Sequence, residues 1–200
     1  DEARPKMQIE GEDLKRKSVA DGNRQTEETE YTVIVDIGTT TLAAAFMRES
    51  DLEIEQVLTR ENSEHRYGSD VVSRIRASEE GHGADMQAAV WADIEAMCQE
   101  FAAEKMRTLQ GSTGAFQKIR FPQMVIAGNT VMEHLLCGYP LSGLGEAPFR
   151  PFSLELTRQK KSGIFPGSGL LEETEVVVLP GASAFVGADI VAGLYAVSMD

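Results

Sequence analysis

Cysteine, histidine and basic residues are the scarce components of this 200-residue chain. Only Cys98 and Cys137 are present, each in an apolar helical context with no second Cys or His at ligand spacing. That excludes a disulfide scaffold and a cysteine-built metal centre. Both read as buried free thiols of a reducing compartment. His65, His82 and His134 are scattered, and a lone His on a helix, such as His134, is more often a packing or surface residue than a ligand. No apolar run approaches the ~20 residues that span a bilayer, and no signal-peptide core opens the sequence. The 19 Lys and Arg face 32 Asp and Glu, for a net charge of -13. Such a balance argues against nucleic acid or an anionic membrane as partner, because those surfaces take affinity from clustered cations. An acidic cytoplasmic protein is the expected class.

What is present suffices for a core. With 42% hydrophobic residues the chain supports one ordinary domain or two small lobes without a staple. Residues 1–30 are polar, with mixed charge, and read as a linker or tail. Folding is expected from Tyr31. Strands are expected over Thr32–Ile37 and Thr41–Arg48. A third, half-exposed strand over Leu52–Leu58 alternates in character and completes a three-stranded antiparallel meander. Helices follow over Asp70–Ser78 and Ala84–Leu109, the second carrying Met86, Val90, Ile94, Met97 and Phe101 on one stripe with Trp91 beside it. These are expected core contacts. A strand over Phe121–Ala127 leads to a helix over Val131–Cys137, for which Thr130 and Glu133 form a capping box. The Gly- and Pro-rich Gly138–Ser168 stretch reads mostly as loop. Glu175–Leu179 is a strand, and a last helix runs from Ser183 to about Ser198. Val186, Ile190, Leu194 and Val197 share a face of that helix, and Gly187 and Gly193 permit close packing. The fold class is α/β, one mixed-sheet lobe with packed helices.

The segment from Val33 to Met47 carries the chemistry. A buried apolar strand delivers Asp36 to its tip, and the turn Gly38-Thr39-Thr40 offers backbone N–H groups and small hydroxyls to an anion. An Asp facing phosphates makes sense chiefly with a divalent cation between them. An ordinary β-hairpin with Asp and Gly in its turn is the bland reading. Gly128 and Asn129 form a second site of interest, at a strand end and helix start where ligands collect in α/β sheets. The local alternative is that Asn129 and Thr130 merely cap the helix. Asp189 interrupts the apolar last helix, as a bonded structural residue or as part of a site.

Four separated segments resemble one family. Val35-Asp36-Ile37-Gly38-Thr39-Thr40-Thr41 resembles the first phosphate motif of the superfamily of sugar kinases, acetate kinase, Hsp70 and actin. The segments Asn62–Ile75, Ala127–Phe149 and Leu179–Leu194 resemble the reductive activators of corrinoid proteins and their uncharacterised relatives within it. The resemblance implies a ribonuclease-H-like lobe and an ATP-dependent activase that reduces a cobalt(II) corrinoid protein of a methyltransferase system to cobalt(I). It implies that Asp36 organises a Mg²⁺-bound water, that Gly38, Thr39 and Thr40 touch phosphate oxygens, and that Gly128 and Asn129 line the same cleft. Asp189 would lie on the helix joining two lobes and orient metal-bound water.

The family's [2Fe-2S] ferredoxin-like domain needs a cysteine set that these residues lack, so it is expected upstream. A second phosphate hairpin and a Gly-rich adenosine motif are also missing, so residues 31–200 are expected to be the N-terminal lobe alone. The isolated chain should then bind ATP weakly or not at all, and its Ser183–Met199 face could pair two copies as a homodimer. Activators of 2-hydroxyacyl-CoA dehydratases would begin with a similar hairpin but need cysteines for a bridging [4Fe-4S] cluster. A redox-silent ATPase-fold switch or protein-interaction module is the alternative.

Overall fold

The computed structural model describes residues 26–113, 116–167 and 169–198, so most of the expected tail lies outside the described residues. Its sheet is mixed, in the order Ile54–Glu61, Thr41–Arg48, Thr26–Ile37, Gln123–Gly128, Glu175–Val178, Thr157–Lys160, with Phe116–Arg120 also pairing Thr26–Ile37. The first three strands are β1 (Thr26–Ile37), β2 (Thr41–Arg48) and β3 (Ile54–Glu61), joined as the expected antiparallel meander. Strands β5 (Gln123–Gly128) and β7 (Glu175–Val178) continue it in parallel on the far side of β1. Alternation fixes the register. Tyr31, Val33, Val35 and Ile37 are buried, whereas Ile34 and Asp36 between them are exposed.

Two strands escape the sequence pattern. β1 begins at Thr26, inside the segment expected to be a tail, and its first residues pair in parallel with β4 (Phe116–Arg120). Glu28 holds that edge through ion pairs with Lys118 at 3.4 Å and Arg120 at 2.9 Å. Cross-strand charge here replaces the apolar alternation that marks a buried strand. β6 (Thr157–Lys160) lies antiparallel to β7 within the expected loop, again a polar edge, tied by Arg158 to Glu175 at 2.6 Å.

The helices pack on the sheet. α1 (Val71–Ala77) and α2 (Gly83–Thr113) are separated by a π-helical segment in which Gly81 adopts φ 101°, a conformation that favours glycine. α2 lies against β2, β3 and β4 and buries Met86, Val90, Ile94, Met97 and Phe101, as its spacing requires. Phe101 stacks on Phe46 with ring centroids 4.1 Å apart, and the buried Trp91 donates from its indole N–H to the Leu136 carbonyl at 3.1 Å. α3 (Thr130–Cys137) follows β5, and short helices α4 (Ser142–Gly145) and α5 (Lys161–Ile164) punctuate the Gly- and Pro-rich stretch.

The last helix, α6 (Ala188–Ser198), starts five residues later than its apolar spacing suggests. Ser183–Val186 instead closes a tight turn through a β-bridge, with the Ser183 hydroxyl accepting from the Phe185 N–H at 3.2 Å. That local bond competes with helix formation. Ile190, Leu194 and Val197 of α6 are exposed rather than buried, and space around Gly193 is open, so close packing occurs at Gly187 alone of the two glycines. No helix of the described residues is long and apolar enough to cross a membrane.

Candidate functional site

The site collects at the carboxyl ends of β1 and β5, where parallel strands leave room for ligands. Register puts Asp36 beside Ala127 and Ile37 beside Gly128. The β1–β2 turn is then held from behind. Gly38 donates to the Thr41 carbonyl at 3.0 Å, and the Asn62 amide N–H of the backbone donates to the Thr40 carbonyl at 2.9 Å. The Asn62 side chain donates to the Gly38 carbonyl at 2.9 Å, and Arg74 donates to the Thr39 carbonyl. Every carbonyl from Gly38 to Thr41 is thereby engaged. Among the described residues, no acceptor is set against the Thr39 or Thr40 N–H. Such a turn presents partial positive charge outward.

Asn129 joins this turn from the other strand. Its carbonyl oxygen Oδ1 accepts from the Met132 N–H at 3.1 Å, capping α3, while its Nδ2 donates to the Thr39 hydroxyl at 3.2 Å. The cap is therefore Asn129 rather than Thr130, whose hydroxyl donates instead to the Ser183 carbonyl at 2.8 Å. Glu133 accepts from the Gly128 N–H at 3.2 Å, two residues before the Thr130 of the expected box. Gly187 packs closely on this junction. A Cβ there would meet the Gly128 carbonyl at 2.4 Å and the Asn129 Cα at 2.5 Å, so only glycine lets the start of α6 lie on the β5–α3 junction.

That contact brings Asp189 toward Asp36. Partial desolvation first, and the Asp189 charge second, raise the Asp36 carboxyl above its ordinary value. Glu133 sits in the same neighbourhood, pushed up to about 8 by burial, with the Gly128 and Ala188 amides opposing and Asp189 adding. Asp36 and Asp189 supply carboxylate oxygens, hard donors of the kind Mg²⁺ prefers. Among the described residues no group of three or more His, Cys, Asp or Glu could enclose a metal. The donor set fits a Mg²⁺ that keeps its waters rather than an all-protein cage.

The cysteines fit no iron-sulfur centre. Cys98 is buried on α2 and Cys137 half-buried at the end of α3, and burial raises both thiols, Cys137 to about 12. His134 is structural. Its Nδ1 lies 2.7 Å from the Thr130 carbonyl and must carry the proton, while Nε2 accepts from the Phe152 N–H at 3.1 Å. Burial lowers its pKa, in keeping with the neutral ring.

Strand register and the Asn129–Thr39 bond bring Gly128 and Asn129 beside Asp36 and the Gly38-Thr39-Thr40 turn, and Asp189 is near enough for its charge to act on Asp36. Asn62, Glu64 and Arg74 were not assigned there by sequence reasoning. Their signal is an Arg set among apolar residues on a short helix, which alone names no partner.

Comparison with known proteins bears on the fold and the family. No curated protein matches the chain. A solved structure, the reductive activator for corrinoid, iron-sulfur protein, superposes with a TM-score of 0.64 at 24% identity, over 82% of this chain and 25% of that one. The chain thus spans about a quarter of that protein's length. At that identity the likeness shows the fold. Residues 31–200 match the family described as the RACo middle region, and the chain belongs to that family.

Proposed function

We propose that this chain forms the first half of the ATP-binding domain of a cytoplasmic, ATP-dependent reductive activase, which returns cobalt(II) corrinoid proteins of a methyltransferase system to cobalt(I). The observation that carries this is the Gly38–Thr41 turn, with its carbonyls tied back and the Thr39 and Thr40 amides left outward beside Asp36 and Asp189. The meander followed by parallel β5 and β7 also favours a ribonuclease-H-like lobe of the actin, Hsp70 and sugar-kinase superfamily.

The residues divide the work by chemistry. Thr39 and Thr40 donate to phosphate oxygens through backbone and hydroxyl, and Asn129 fixes the Thr39 hydroxyl. Gly128 lets the β5 end approach the turn closely. Asp36 and Asp189 are the carboxylates that would hold a hydrated Mg²⁺ as hydrogen-bond acceptors. Mg²⁺, when bound, neutralises phosphate charge that would otherwise repel these two acids. Electron supply falls outside these residues, and is assigned to a [2Fe-2S] domain of the full-length protein because Cys98 and Cys137 are unsuited to a cluster.

The test is spectroscopic. Full-length protein, given a reductant and a corrinoid protein in the cobalt(II) state, should yield the cobalt(I) spectrum only with ATP and Mg²⁺, and Asp36→Ala should abolish it. Reduction at the same rate without ATP would overturn the proposal.

A further inference from the structure

The segment Asn62–Ile75 carries part of the family resemblance and lies directly behind the Gly38–Thr40 turn. The structure gives its polar members a common destination. Arg74, wholly buried on α1, donates from Nη1 to Glu64 Oε2 at 2.9 Å and to the Met132 sulfur at 3.0 Å. From Nε it donates to the Gly68 carbonyl at 3.1 Å, and from Nη2 to the Thr39 carbonyl. Asn62, also wholly buried, donates to the Gly38 carbonyl at 2.9 Å and to Glu64 at 3.3 Å, while its own Oδ1 accepts from the Glu64 N–H at 2.9 Å. Asp93 of α2 secures the base of this turn by accepting from the Ser63 N–H and hydroxyl, both at 2.8 Å.

Stability alone is a weak account of such an arrangement. Burying an ion pair costs desolvation that the attraction only partly offsets, and apolar side chains of equal volume commonly do as well or better. Here the cost is visible, since Glu64 Oε1 is buried without a partner among the described residues and burial lifts the Glu64 carboxyl to about 7 against the pull of Arg74. What the network achieves is orientation. Two of its side-chain donors end on consecutive carbonyls of the turn, Gly38 and Thr39, and hold the peptide planes so that the Thr39 and Thr40 amides point away from the core. The Arg74 charge also stands directly behind the anion-facing turn.

We propose that Asn62 and Arg74 are positioning residues for the phosphate turn, with Glu64 orienting both, so that this buried network sets affinity for the phosphate chain of the nucleotide and not for its nucleoside. The proposal rests on the phosphate-site reading given above. Its test compares ATP with adenosine as ligands of the full-length protein, measured by calorimetry in the wild type, Asn62→Ala and Arg74→Lys. Lysine keeps the charge but cannot reach Glu64, Gly68 and Thr39 together. Each variant should bind ATP about tenfold more weakly or worse, as expected for a lost hydrogen bond to a positioned group, with adenosine affinity unchanged. Should Arg74→Lys fail to fold, the Asn62→Ala comparison decides. Unchanged ATP affinity in the folded variants, or equal losses for ATP and adenosine, overturns the positioning role. A wild type that binds no ATP overturns the phosphate site itself, which is a separate and recognisable outcome.

Discussion

The side-chain amide of Asn129 lies 3.2 Å from the Thr39 hydroxyl oxygen, joining two turns that are 90 residues apart in the chain. The same side chain caps α3, so one residue couples helix stability to the geometry of the cleft. Two substitutions separate these effects. Asn129→Ala should cost about 1 kcal/mol of stability through the lost cap. Asn129→Asp keeps a capping oxygen but loses the donor to Thr39, so it should melt like the wild type and bind ATP more weakly. Thermal melts and calorimetry on the full-length protein check both, and equal ATP affinity in the wild type and Asn129→Asp would refute the coupling.

Gly187→Ala should be costly because the atoms it meets, Gly128 O, Asn129 Cα and Thr130 N, belong to the backbone and cannot swing aside. The start of α6 must move, at about 2 kcal/mol of strain. Gly193→Ala, facing open space, should leave stability unchanged or raise it slightly as a better helix former. Urea unfolding of the two variants in parallel tests the contrast; similar midpoints would count against the close approach.

Glu133 gives a pH signature. Its carboxyl titrates near 8 when folded, against an ordinary 4.5, chiefly because it is buried. A raised folded pKa means the native state binds the extra proton, so this contribution is complete below pH 4.5 and is lost as pH rises toward 8. Within that window the slope from this one group is at most about 1.4 kcal/mol per pH unit. Glu133→Gln, which stays neutral, should flatten the decline. Unfolding free energies measured across the window decide the matter, and an unchanged slope would show that Glu133 is not the group responsible.

α6 exposes Ile190, Tyr195 and Val197, at 49, 70 and 74%, with Ile190 and Val197 on one face. Residues 1–200 alone should therefore self-associate as concentration rises, through burial of this face. Light scattering after size exclusion measures it, and Val197→Glu should restore the monomer. A wild-type monomer at every concentration would exclude the homodimer.

Much of the lobe was legible where the chain obeys one clear period. The alternation through Tyr31, Val33, Val35 and Ile37 and the α2 stripe from Met86 to Phe101 both appear as expected, because one buried face forces each pattern. β4 and β6 were not legible, being short edge strands held by Glu28 with Arg120 and by Glu175 with Arg158. The start of α6 was misplaced because a Ser183 side-chain bond overrides apolar spacing. In the site, Asp36, the turn and Asn129 were visible as local motifs. Arg74 was not, since its partners lie 6, 10, 35 and 58 residues away and no local pattern announces such a convergence.

The central claim is that the Asp36 turn grips nucleotide phosphates through Mg²⁺. Its most direct test is calorimetric titration of ATP into the full-length protein, with and without Mg²⁺, beside Asp36→Asn. The wild type should bind ATP markedly more tightly with Mg²⁺, and Asp36→Asn should lose that difference. ATP binding that is absent, or equally tight with and without Mg²⁺ in both proteins, would contradict the account.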